Sequence, residues 1–236
     1  MKTATPVIPR VLTAIAILGG FFLPATVRTA EAGWVALFDG KTLDGWEQHS
    51  GKAIYRVEAG AIVGKTVINT QNSFLCTKKT YDNFILEFEF KVAPDMNSGV
   101  QFRSEYYTKE TETVINGKTK RKFPADRVFG YQYEIDPSPR AYTGGVYDEA
   151  RRGWLVDLKD NPAAQKAFKQ GEWNLARIEC RGDQIQTWIN GVKASDLKDG
   201  MTLRGLIALQ VHQIGDGKKK PAGEEIRWRN IRIKEL

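Results

Sequence analysis

Phe84-Ile-Leu-Glu-Phe-Glu-Phe-Lys-Val92 is the stretch on which the fold turns. Side chains of a strand alternate faces with period two, so Phe84, Leu86, Phe88 and Phe90 share one face while Glu87, Glu89 and Lys91 share the other. That is the pattern of an antiparallel strand with one face in a core and one in solvent. Shorter runs of the same kind recur at Tyr55–Val57, Ala61–Gly64, Ser73–Thr77, Leu175–Arg181 and Gln184–Ile189. Turn signals separate them: Glu58-Ala-Gly60, Arg181-Gly-Asp183 and, strongest, Asn190-Gly191. The final run, Ile226 to Lys234, changes phase between Trp228 and Ile231, which predicts a β-bulge near Asn230.

Only one segment reads as helix. Asn161 can cap it, Pro162 fits the first position, Ala163 to Gln170 are mostly good formers, and Gly171 supplies a stop. Many short strands with one short helix predict an all-β sandwich or jelly roll. The polar stretch from Tyr106 to Arg127, centred on Asn116-Gly117, reads as an excursion hairpin between two sheet strands. The predicted core includes Phe84, Leu86, Phe88, Phe90, Ile178 and Ile207.

The first 32 residues read as a signal peptide. Lys2 and Arg10 give a positive start, Val11 to Leu23 an apolar segment, and Ala30-Glu31-Ala32 a cleavage site, so the mature chain is expected to begin at Gly33. The apolar segment falls short of the roughly 20 residues that span a bilayer, and no other stretch approaches that length. A periplasmic or secreted location is expected, with no membrane attachment after cleavage. Removing 32 of 236 residues leaves 204, a fitting size for one β domain, residues 33–236. The net charge of +7 falls by +2 with the leader (Lys2, Arg10 and Arg28 against Glu31), leaving a mildly basic +5. Lys118-Thr-Lys-Arg-Lys122 and Lys218-Lys-Lys220 are basic clusters, read as solvated loops because an exported protein meets little nucleic acid; no nucleic-acid partner is expected. Cys76 and Cys180 are open to two readings, a disulfide or two buried thiols.

Three further alternating runs, 99–104, 130–136 and 206–212, carry ionisable and amide groups. Gln101 and Arg103, Gln132, Glu134 and Asp136, and Gln210 and His212 can each line one sheet face, so a carboxylate, a guanidinium and an imidazole are expected to meet. Glu134 is the leading candidate base, His212 the acid or alternative base, and Arg103 the group that holds developing negative charge. The competing structural readings are a cross-strand salt bridge for Glu134 and Arg103, and a hydrogen-bonded core histidine for His212. His49, in Gln-His-Ser-Gly, is expected in an exposed turn. Tyr147, Trp173 and Trp188 are candidate sugar-stacking platforms or core aromatics. Asn97-Ser98-Gly99 is read as shaping the entry to a strand, and Asp39 as a turn former. No His/Cys spacing suits zinc; a calcium ion held by carboxylates and carbonyls stays open as a cofactor. Glu134-x-Asp136 begins the Glu-x-Asp-x-x-Glu strand of concanavalin-like glucanases, but Pro139 stands in the last place, which argues against an ordinary paired-carboxylate glycosidase.

In order, Leu37-Phe-Asp-Gly-Lys-Thr-Leu-Asp-Gly-Trp46, Asn97-Ser-Gly-Val-Gln-Phe-Arg103, Tyr131-Gln-Tyr-Glu-Ile-Asp136, Thr143-Gly-Gly-Val-Tyr147, Gly171-Glu-Trp-Asn174, Trp188-Ile-Asn-Gly191, Leu209-Gln-Val-His212 and Trp228-Arg-Asn-Ile-Arg-Ile-Lys234 resemble the 3-keto-disaccharide hydrolase family. The resemblance implies a concanavalin A-like jelly roll, export by bacteria, and cleavage of glycosides oxidised to a ketone at C3. Many members carry Glu-x-Gln where this chain has Gln132-Tyr-Glu134. A C3 ketone acidifies the C2 proton, so a base, an electrophile for the enolate and an acid for the C1 substituent suffice. Elimination and ketone-assisted hydrolysis both fit, and a catalytically inert sugar-binding module is the competing class.

Overall fold

The computed structural model describes Met1 and residues 32–236; the expected leader and its cleavage signal lie outside the described residues. The strands are β1 (Val35–Ala36), β2 (Trp46–Ser50), β3 (Ile54–Glu58), β4 (Ala61–Lys65), β5 (Ser73–Thr77), β6 (Phe84–Val92), β7 (Ser98–Glu105), β8 (Thr111–Ile115), β9 (Thr119–Phe123), β10 (Phe129–Ile135), β11 (Val146–Glu149), β12 (Gly153–Val156), β13 (Asn174–Arg181), β14 (Gln184–Ile189), β15 (Val192–Lys198), β16 (Leu206–Val211) and β17 (Glu225–Glu235). Among the described residues one helix, α1 (Pro162–Ala167), precedes β13. One sheet runs β15-β14-β13-β6-β17-β4-β3, with β1 also paired to β17, and a second runs β12-β11-β10-β7-β16-β5-β2. All pairings are antiparallel, and the two sheets enclose one large core, giving a jelly-roll-type sandwich.

The period-two reading of β6 holds. Phe84, Leu86, Phe88 and Phe90 are buried between the sheets, Phe88 meeting the Tyr133 ring edge-on at 5.7 Å. Each such side chain contributes roughly 1.5–3 kcal/mol by leaving water. Ile178 and Ile207 join them. On the outer face Glu87 pairs with Arg177 and Arg232, and Glu89 with Arg229. The register of β17 slips between Arg229 and Arg232, with Asn230 at φ 51°, which is the expected bulge. Asn116 and Gly117 (φ 54° and 65°) close the β8–β9 hairpin as a turn with two left-handed residues.

Helix α1 ends earlier than its composition suggests. Asn161 caps it through Ala164 N–H, but Phe168 is already extended at ψ 134°. Asn190 Nδ2 donates to the Ala167 carbonyl, and Asn174 bonds both the backbone N–H and the carbonyl of Lys169, so side-chain amides from β13 and the β14–β15 turn take over the backbone the helix would have used. Cys76 and Cys180 are buried free thiols, which settles the question left open by the sequence. His49 is buried on β2, stacked on Tyr106 at 3.9 Å with Nδ1 2.6 Å from Asp126 Oδ1, correcting the expectation of an exposed turn.

Candidate active site on the seven-stranded sheet

The outer face of the seven-stranded sheet is divided. On one part, Phe74, Cys76, Val128, Leu206, Ala208 and Tyr106 form a small apolar cluster beside the excursion hairpin. On the other, a pocket of about 820 Å³ opens over β10, with Gln132, Glu134, Asp136, Tyr147, Glu149, Trp154 and His212 among its lining. The pairings Glu134 to Gly99 and Gly99 to Gln210 place β7 between β10 and β16. Gln210 therefore lies across from Glu134 at two strand spacings, about 10 Å, and His212 follows two residues further along the same line, at the far side of the pocket.

Glu134 is held from below. Asn97 Nδ2 donates to its Oε1 at 2.6 Å and Gln132 Nε2 to its Oε2 at 2.7 Å. Gln132 Oε1 in turn accepts from Gln101 Nε2 and, at 2.9 Å, from Gln210 Nε2, and Gln101 Oε1 accepts from Ser104 Oγ. The amides are thus oriented one after another, and each bond fixes the next. Gly99 makes room for them: a Cβ there would lie 2.5 Å from Gln132 Cδ. Burial pushes the Glu134 carboxyl up to about 7, against the two amide donors that pull the other way.

His212 is oriented from the opposite side. Its Nδ1 lies 2.8 Å from the Gln213 carbonyl, an acceptor only, so Nδ1 carries the proton and Nε2 keeps its lone pair. Burial lowers its proton affinity below the ordinary histidine value; Lys220 and Arg127 add to that, while the Gln213 carbonyl and Glu149 oppose it. Burial thus moves the two groups in opposite directions, the Glu134 carboxyl toward holding its proton and the His212 imidazole toward releasing its own.

Of the residues expected to meet here, the structure brings Gln132, Glu134, Asp136, Tyr147 and His212 to one pocket, with Gln101 and Gln210 in the layer beneath. Asp136 accepts from Ser138 N–H and lies 3.0 Å from Arg140 Nη2 in an ion contact that lacks hydrogen-bond geometry. Arg103 is elsewhere. β7 is bulged against both neighbours around Arg103, which sits at φ 47°, so the alternation flips and Ser104 takes the place beside Gln101. The buried guanidinium donates instead to the Asp82 and Gly182 carbonyls and to Asn83 Oδ1. Trp173 and Trp188 also lie off the site. Trp188 belongs to the eight-stranded sheet, flanked by Arg177 and Lys193, and Trp173 stacks on Arg229 at 3.9 Å.

Sequence reasoning missed Asn97 as a site residue, and with it Asn72, Arg127, Arg140, Glu149 and Trp154. Glu149 follows Tyr147 with the period of two and could have been found on β11; the others reach the pocket from loops or an edge strand, where no periodicity reports them. Trp154 packs edge-on against both Tyr142 and Tyr147, forming an aromatic wall. Arg127, Arg140, Lys219 and Lys220 give the pocket a cationic rim. Among the described residues no group of three or more His, Cys, Asp or Glu could hold a metal ion, and no helix is long and apolar enough to cross a membrane.

A family model for the 3-keto-alpha-glucoside-1,2-lyase-like domain matches residues 33–234. No curated protein matches the chain. Two solved structures from Parabacteroides distasonis, described as candidate glycosyl hydrolases, share the fold. One is 19% identical over 86% of this chain and 94% of its own, with a TM-score of 0.53. The other is 22% identical over 86% and 99%, with a TM-score of 0.52. A Bacillus subtilis protein of unknown function with a galectin-like fold is 10% identical over 82% and 90%, with a TM-score of 0.56. The chain belongs to the 3-keto-alpha-glucoside-1,2-lyase-like family, a family of carbohydrate-active proteins.

Proposed function

From this family membership we propose that the chain cleaves α-glucosides bearing a ketone at C3, by elimination across C1 and C2. The observation that carries the reading is that Glu134 and His212 line one pocket, the carboxyl buried and pushed up to about 7, the imidazole with Nδ1 on the Gln213 carbonyl and Nε2 free. With burial raising Glu134 and lowering His212, and with the Gln213 carbonyl bound to the Nδ1–H, the proposed roles are Glu134 as acid and His212 as base, the alternative that the sequence reading kept beside Glu134 as leading base. His212 Nε2 removes the C2 proton, which the adjacent ketone acidifies. The C2–H electrons form C1=C2 as the C1–O bond breaks, and the Glu134 proton passes to the departing glycosidic oxygen. The products are an unsaturated 3-keto sugar and a free alcohol, and solvent returns the proton from His212 to Glu134. Negative charge developing on the C3 oxygen meets the cationic rim rather than Arg103. The edge-on pair of Trp154 and Tyr147 gives the sugar an aromatic side wall. The work is proposed to take place outside the cytoplasm, after removal of residues 1–32.

The test is to incubate purified protein with a 3-keto-α-glucoside and with its unoxidised parent and to follow release of the alcohol. Only the keto sugar should be consumed. Cleavage of the parent, or binding of the keto sugar without turnover, would replace the elimination with ordinary hydrolysis or with a sugar-binding role.

A further inference from the structure

Asn72 lies at the edge of the pocket, buried, immediately before β5. Its Oδ1 accepts the Gln213 N–H at 2.9 Å. A backbone N–H can only donate, so the amide orientation is set and Nδ2 must face the other way. There it donates at 3.1 Å to Glu149 Oε1, which also accepts from Arg127 Nη2 at 2.5 Å. Glu149 is itself buried, so this carboxylate is committed to two donors. Residue 213 is therefore clamped at its N–H, and its carbonyl is the group that takes the Nδ1 proton of His212. The linked order is Arg127, Glu149, Asn72, Gln213, His212.

We propose that Asn72 is a positioning residue for the elimination, acting through Gln213 to hold His212 in the form that presents an unprotonated Nε2 to the sugar. The inference rests on His212 being the base of the proposed reaction. Free imidazole divides its proton between the two nitrogens, and a base whose proton sits on the wrong one cannot act. Without Asn72 the residue 213 backbone loses its anchor, the carbonyl no longer selects Nδ1, and a share of the molecules carries the proton on Nε2, facing the substrate. Glu149 and Arg127 complete the clamp from the far side, which gives this salt bridge a reason to sit in the pocket wall although neither partner needs to touch a reacting atom.

The test reads the imidazole directly. The chain has two histidines, His49 and His212, so nitrogen-15 spectra of histidine-labelled protein are assigned with a single His49→Gln control. Wild type should show Nδ1 protonated and Nε2 bare for His212. Asn72→Ala should give an averaged pair of signals and a kcat on the order of tenfold lower, with KM little changed. Glu149→Gln, which keeps an oxygen for Asn72 Nδ2, should retain the wild-type spectrum. Asn72→Leu, which keeps the branched shape without the amide, serves if the alanine variant does not fold. A folded Asn72 variant with the wild-type His212 spectrum overturns the proposal, as does a shifted spectrum with unchanged kcat. Because the spectrum needs no substrate, a protein inert toward 3-keto sugars would defeat the proposed reaction and leave the test of the clamp in force.

Discussion

Replacing Glu134 by glutamine should make the protein less stable than wild type in mild acid and more stable in mild alkali. The carboxyl titrates at about 7 in the folded protein against an ordinary glutamate value of 4.5. Between those values the folded chain binds a proton that the unfolded chain has released, so stability falls as pH rises through this window. The contribution of the protonated group is fully present below 4.5 and gone above about 7; the difference corresponds to roughly 3 kcal/mol. The glutamine side chain of the Glu134→Gln variant cannot ionise and escapes that loss. It meets a second, pH-independent cost: its oxygen can still accept from Asn97, but its NH2 then faces the Gln132 NH2, whose own oxygen is committed to Gln101 and Gln210. One lost bond of this kind costs about 1–2 kcal/mol. The variant should therefore unfold at lower urea than wild type near pH 4.5 and at higher urea at about pH 8, a swing of about 3 kcal/mol. Urea titrations at the two pH values, read by tryptophan fluorescence, measure it. An equal difference at both would refute the claim that the folded carboxyl is held protonated by burial.

Three other substitutions separate the site from its supports. His212→Gln should lower kcat by on the order of 10²-fold or more on a 3-keto glucoside, as expected for removal of a base, with the urea midpoint nearly unchanged. Gly99→Ala places a methyl 2.5 Å from Gln132 Cδ; steady-state kinetics and urea titration should show Gln132 displaced, with loss of turnover and about 1–3 kcal/mol of stability. Arg103→Met should lower stability by about 2–4 kcal/mol, because the Asp82 and Gly182 carbonyls lose their donor and Asn83 Oδ1 keeps only the Gly182 N–H, while kcat on the folded protein stays within a fewfold of wild type.

The sandwich was legible because β6, β13 and β14 keep strict alternation over long runs, and because Asn116-Gly117 and Asn190-Gly191 mark turns by a backbone geometry few other residues accept. The bulge in β17 showed itself as a phase change among apolar residues. The bulge in β7 did not, since Phe102, Arg103 and Ser104 offer no apolar rhythm to break, and that one hidden residue moved Arg103 from the expected site to the far end of the sandwich. Glu134, Gln132 and His212 were found by alternation, because the stretch from Gln132 to Glu134 and the run from Ala208 up to His212 lie past the β7 bulge and keep their phase. Asn72, Asn97, Arg127 and Arg140 reach the pocket from segments whose positions depend on the folded whole. The roles proposed for Glu134 and His212 were also out of reach, because they are argued from burial and from the Gln213 carbonyl rather than from residue type.

The central claim is elimination across C1 and C2, and it is tested most directly with a 3-keto-α-glucoside deuterated at C2, turned over in water enriched in oxygen-18 and followed by mass spectrometry at early times. The account predicts that the sugar product loses its deuterium, carries a new C1=C2 double bond and contains no oxygen-18 at C1, with a slower rate than the undeuterated substrate. A sugar product that keeps its deuterium and gains oxygen-18 at C1 would contradict it, since water would then have displaced the alcohol without any proton leaving C2.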